Sequence, residues 1–251
     1  MAVVDEAVRL ILGMPWAAVT EDGRRRRLAR GDEADIEPGP FELPTEAQVQ
    51  IEGMRPHPEE VLSAESDVLG SYLPMRSPGV ITLHWQSIGS FFWHTILDMQ
   101  CHGLYMEQPE VEAMAHVAVL KTHSHEVFHH FCDVARCLFG NAHDRLNEEA
   151  LAVACSHHDI VEMRAEWRSK PARLSSLLYR ELMRRIYAYR SPGYRDWVLF
   201  QTRPDFEQGL VQYLGPPSTA FLQRSGIDVA TMLGAIRRSI GDQGTVERVG
   251  P

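Results

Sequence analysis

The richest chemistry in the chain lies in residues 121–133, which contain His125-Glu126-Val127-Phe128-His129, an H-E-x-x-H pattern. On an α-helix, residues four apart stand on one face, a single turn apart. His125 and His129 can therefore aim two imidazoles at one ion, with Glu126 at the edge of the same site. Two nitrogen ligands and a carboxylate that takes a proton from metal-activated water are the working parts of a zinc hydrolase. Catalytic zinc usually takes a third protein ligand and keeps a fourth position for water.

The pattern has this meaning only on a helix, and the flanking sequence predicts one. Pro109 suits a first helical position, and Glu110 and Glu112 favour a first turn. Apolar spacing continues through Val111, Met114, Ala118, Phe128, Cys132 and Ala135 until Gly140-Asn141 signals a stop. A short loop and a new helix from about Asn147 follow. That loop turns the chain back, bringing Glu148 or Glu149 toward the two histidines.

At this point the stretch resembles the gluzincin branch of the zinc metallopeptidases, the thermolysin-like and aminopeptidase-like enzymes. In that branch a ligand glutamate opens a second helix about 18 to 20 residues after the motif. Glu148 and Glu149 both fall at that distance. Asn147-Glu148 fits the Asn-Glu seen in such families, and Glu149-Ala150-Leu151-Ala152 fits their Glu-x-x-Ala. Glu149 is preferred, because small Ala150 and Ala152 let the two helices approach closely. The resemblance covers roughly residues 83–155. It implies one Zn²⁺ per chain, held by His125, His129 and Glu149, with Glu126 as general base. A metzincin would need a third histidine six positions after His129, where Ala135 stands.

Other polar residues crowd the motif. His123 should face elsewhere on the helix, and His130, four after Glu126, is placed to pair with it. Asp133, four after His129, is placed to hold an imidazole N–H. His157, His158, Tyr187, Tyr189, Tyr194 and Arg190 compete for the role of hydrogen-bonding a developing oxyanion. Trp85, Phe91, Phe92, Trp93 and Trp197 read as core or pocket wall, and Cys132 as a buried apolar residue.

The elements that must position these groups are mostly helical. Residues 80–85, rich in β-branched and aromatic side chains and preceded by Ser77-Pro78-Gly79, form the best predicted strand. It is a possible sheet edge for an extended peptide. An apolar helix over residues 90–99 backs it. Helices are expected over residues 3–13, 147–155, 159–168, 171–189, 205–214 and 228–240, with a turn at 191–197. Residues 20–59, charged and rich in Pro and Gly, read as an irregular arm with little core of its own. Two parts follow: residues 1–70, a helix and that arm, and residues 71–251, the metal-binding domain. The expected class is α+β, mostly helical, zincin-like, with a small sheet and an active-site helix carrying H-E-x-x-H.

Composition narrows the functions further. The 251 residues are 44 % apolar and 24 % charged, with a formal charge of −9. That balance disfavours a nucleic-acid binder, and the basic run Arg24–Arg27 with Arg30 reads as a solvated loop. Cys101, Cys132, Cys137 and Cys155 show no C-x-x-C spacing, consistent with reduced thiols in a cytoplasmic protein. No secretory signal pattern and no long apolar run is present, so no membrane association is expected. The expected activity is a zinc-dependent hydrolase, a metallopeptidase acting on a peptide or protein. Two alternatives accompany it. One is a zincin-like domain that binds or regulates a protein partner through its N-terminal arm without turnover; the other is a metalloenzyme acting on a small molecule.

Overall fold

The computed structural model describes residues 2–14, 69–73, 80–140, 144–167, 174–240 and 246–250. The arm expected over residues 20–59, the turn at 77–79 and the helix start at 171 lie outside them. The elements run α1 (Ala2–Leu12), β1 (Gly70–Leu73), β2 (Val80–His84), α2 (Trp85–Cys101), α3 (Gln108–Phe139), α4 (Arg145–Trp167) and α5 (Ser176–Ile186). A 3-10 helix (Tyr194–Phe200), α6 (Arg203–Arg224), α7 (Val229–Ser239) and β3 (Val246–Gly250) complete the chain. The class is α+β and mostly helical, as expected. No described helix is long and apolar enough to cross a membrane.

The 32-residue α3 is the axis of the molecule. Its start is fixed by a capping box, in which the Glu107 N–H donates to Glu110 Oε2 at 3.0 Å, with Pro109 in the first turn. It ends at Gly140, whose N–H donates to the Arg136 carbonyl at 2.8 Å. Met114, Val117, Phe128, Phe131 and Ala135 are fully buried, as apolar spacing predicts. Lys121, Thr122, Ser124, Glu126, His130 and Asp133 are buried as well. Burying this much polarity is expensive without partners, so these groups mark a site rather than a plain core.

α4 packs along α3. Residues Ala150 through Cys155 are all buried, so this stretch of the helix is enclosed on every side, and its alanines permit the close approach. It is continuous where sequence reading expected a break near residues 156–158. The polar groups there are satisfied inside the fold: Ser156 Oγ donates to the Val153 carbonyl at 2.7 Å, and His158 Nε2 meets the Phe200 carbonyl at 3.0 Å.

The sheet has the order β1-β2-β3. β1 is antiparallel to β2, with Gly70 opposite Leu83, and β3 is parallel to it, with Val80 opposite Val246. β2 is therefore the central strand, paired on both sides, and not the sheet edge expected for peptide pairing. Among the described strands β1, beside α3, is an edge. The expected division at residue 70 also needs correction, because α1 belongs to the main core. Val4, Ala7 and Ile11 are fully buried there, and Trp93 Nε1 donates to the Ile11 carbonyl at 3.1 Å.

Candidate metal centre

α3 presents His125 and His129 side by side, ring centroids 4.8 Å apart and nearly perpendicular. Their Nε2 atoms lie 3.1 Å from each other. From α4, Glu149 Oε2 stands 3.2 Å from His125 Nε2 and 3.4 Å from His129 Nε2. Three ligand atoms thus form a nearly equilateral triangle. Tetrahedral zinc with bonds of roughly 2.0–2.1 Å places its ligand atoms about 3.3 Å apart, so the triangle fits such an ion with little movement. Glu149 Oε2 is also a buried oxygen with no hydrogen-bond partner. An orphaned carboxylate oxygen facing two imidazole nitrogens is what a cation would satisfy.

The electrostatics agree with that geometry. Burial opposes charge on Glu149, but His125 and His129 outweigh it and hold the carboxyl well below the usual carboxylate range. Burial likewise disfavours charge on His129, yet Glu148 and Glu149 prevail and raise the imidazole to about 10.

Glu148, the other glutamate at ligand distance, takes a different place. Its Oε1 lies 2.8 Å from His129 Nδ1, on the far side of the ring from the triangle. Its Oε2 accepts from Arg136 Nη1 at 2.5 Å and from the Tyr213 hydroxyl at 2.6 Å. A carboxylate behind a ligating imidazole fixes the tautomer, leaving Nε2 free to bind. Asp133, expected to hold an imidazole N–H, lies 3.6 Å from Arg136, and the carboxylate at His129 Nδ1 is that of Glu148. Glu148 holds the His129 ring.

Glu126 is buried, and burial raises its carboxyl above the ordinary range; His125 and His129 oppose that rise and Glu149 adds to it. The side chain is wedged under β1. A Cβ on Gly70 would stand 2.8 Å from Glu126 Cγ and 2.9 Å from its Oε1, so only glycine lets the strand lie this close. Among the oxyanion candidates, Tyr194 stands at the centre. Its ring stacks on His125, centroids 5.7 Å apart and planes within 17°. Burial and the hydrogen-bonded Glu149 raise its phenol well above the ordinary range. Gly193, at φ +82°, makes the turn that delivers Tyr194, and its missing side chain clears the Leu146 carbonyl.

The other named residues lie outside the triangle. His123 Nε2 pairs with Glu247 of β3 at 2.7 Å. His130 is buried near Asp133. His157 packs among Tyr187, Trp197 and His158, where burial lowers it to about 4. Phe92, Trp93 and Trp197 are buried in the core, as expected, and Cys132 is a buried thiol raised well above its usual value by burial. Sequence reading missed the imidazole-holding role of Glu148, and it missed Arg136, Tyr213 and Gly70. Arg136 had a signal, since it lies seven residues after His129, on the same helix face. Tyr213 had none, being 65 residues from its partner. Comparison with protein-family models, curated proteins and solved structures finds no match for the chain.

Proposed function

We propose that the protein is a zinc-dependent hydrolase, a zincin-like metallopeptidase, in which His125, His129 and Glu149 hold one Zn²⁺. The observation that carries this reading is the triangle of ligand atoms with edges of 3.1, 3.2 and 3.4 Å, one corner of which is the buried Glu149 Oε2. A bound Zn²⁺ supplies Lewis acidity, polarising a carbonyl oxygen and making water beside it more acidic. Glu126 takes the proton of the attacking water and returns it to the leaving amine. A carboxyl raised above the ordinary range is a stronger base than a free carboxylate, which suits it to take that proton. Tyr194, whose ring stacks on His125, would hydrogen-bond the oxygen of the tetrahedral intermediate. An extended peptide pairing with the edge strand β1 would run past Glu126 and the ligands.

The test is zinc content and peptide cleavage of purified protein. Wild type should hold one zinc per chain, and His125→Ala and Glu149→Ala should lose it. Glu126→Gln should keep the zinc and lose cleavage of a mixed peptide library. Zinc retained in both ligand variants would refute the metal site. Zinc held by a wild type that cleaves no peptide would favour the binding or small-molecule readings.

A further inference from the structure

One turn before His125, on the same face of α3, stands Lys121. Only 5 % of it is exposed. Buried lysines normally pair with a carboxylate or extend their amine to water. Lys121 does not take the first of these courses. Among the described residues its amine has no ion pair and no hydrogen bond. Its neighbours are three aromatic faces: Phe91 of α2 and Tyr189 at 5.0 Å, and Tyr187 at 5.9 Å. Burial alone drags the amine down to about 7.

Two tyrosine rings connect the amine to the metal centre. Tyr189, which lies against it, has its ring 5.4 Å from that of Tyr194, and Tyr194 stacks on His125. Glu149 is close enough to both tyrosines to raise their phenols, beyond what burial does. Lys121, the two tyrosines and the metal ligands thus form one continuous wall. Aromatic faces stabilise a cation but accept none of its three N–H donors in the manner of an oxygen. Among the described residues no anion completes the arrangement.

We propose that Lys121 is the substrate-anchoring residue of this site and binds a carboxylate, so that preferred peptides carry an acidic group near the scissile bond. This rests on the zinc-peptidase reading for the word "scissile" but not for the binding itself. A single amine without a guanidinium beside it suits one carboxylate better than a doubly charged phosphate. In a wall of low polarity, a charge-assisted hydrogen bond to that amine discriminates strongly against a neutral isostere. The carboxylate has two possible sources in a peptide, a Glu or Asp side chain or a free C-terminus.

Three acetylated alanine pentapeptides separate the sources: one with a central Glu and an amidated end, one all-alanine with a free C-terminal acid, and one all-alanine and amidated. Their binding is measured by calorimetry on the full-length metal-free protein, where no turnover intrudes, and their cleavage on the zinc-loaded protein. One acidic peptide should bind at least about tenfold more tightly than the neutral one, and its identity names the source. Lys121→Met and Lys121→Gln should erase that advantage while leaving zinc content and neutral-peptide affinity unchanged. Lys121→Met should melt no lower than wild type, because it fills the cage without a buried amine. Equal binding of the three peptides, an advantage that survives in both variants, or a marked loss of melting temperature in Lys121→Met would each overturn the proposal. Absence of zinc from the wild type would instead sink the hydrolase reading, while the metal-free binding result would still decide for or against Lys121.

Discussion

Glu148 and Glu149 are neighbours of the same chemical type, yet the helix separates their duties. Successive residues point about 100° apart around an α-helix, so one carboxylate reaches the Nε2 side of His129 and the other its Nδ1 side. Sequence narrowed the expected third ligand to these two and preferred Glu149 for the small residues that follow it. The rotation of α4, which puts Glu149 on the Nε2 side, was beyond its reach. Their substitution should separate the roles. Glu149→Gln is expected to abolish zinc binding, whereas Glu148→Gln should keep the zinc and weaken its affinity about 10- to 100-fold. Competition against a chelator measures both, and equal losses would show that the two carboxylates share the ion. The pH dependence follows from His129. Without metal its imidazole is raised to about 10, so at neutral pH it carries a proton that an ion must displace. Zinc affinity should therefore climb by up to about tenfold per pH unit between pH 6 and 9. A flat profile would mean that His129 is already neutral.

At the scale of elements, legibility followed local signals. β2 and α3 were readable because alternation, capping residues and a terminal glycine act within a few positions. β1 and β3 were not. Gly70–Leu73 is short, and Val246–Gly250 contains two charged residues and a glycine; pairing with β2 makes them strands, and such pairing leaves no trace in local propensity. The 3-10 helix was read as a turn with two aromatics, although it delivers Tyr194 to His125. The most consequential element contact is the one between β1 and α3. Gly70→Ala would force either the strand or the Glu126 carboxylate aside. Zinc content should be unchanged and turnover should fall by about 10²-fold, because a displacement near 1 Å spoils a proton-transfer geometry. Undiminished turnover in this variant would indicate that Glu126 does not work from beneath β1.

The whole molecule is held together by parts far apart in sequence. α1 reads as the opening of a separate segment, but its apolar face completes the core over α2 and α3. The separating arm misled because its composition is polar whereas the helix before it is not. Ile11→Ala should lower the stability of the entire domain by about 2–5 kcal/mol, in a single urea transition. A separate early transition would instead restore the division at residue 70. Removing the metal should act just as globally. A ligand that binds only the folded state stabilises all of it, so chelation should lower the melting temperature of wild type and leave Glu149→Gln unaffected.

β3 closes the fold in a further sense. Its parallel pairing with β2 is reinforced by Arg248 Nε, which donates to Thr82 Oγ1 across 166 positions of chain. Closing so long a loop is entropically costly, and contacts of that span form late. The α3–α4 pair, joined by a short loop, can assemble first, so the ligand triangle should exist before the sheet is complete. In pulse-labelled hydrogen exchange during refolding, amides of α3 and α4 should gain protection ahead of those in β2 and β3. Zinc added at the start should then speed the early phase and leave the late one unchanged. A centre that forms before the fold is finished can act as a nucleus for the rest.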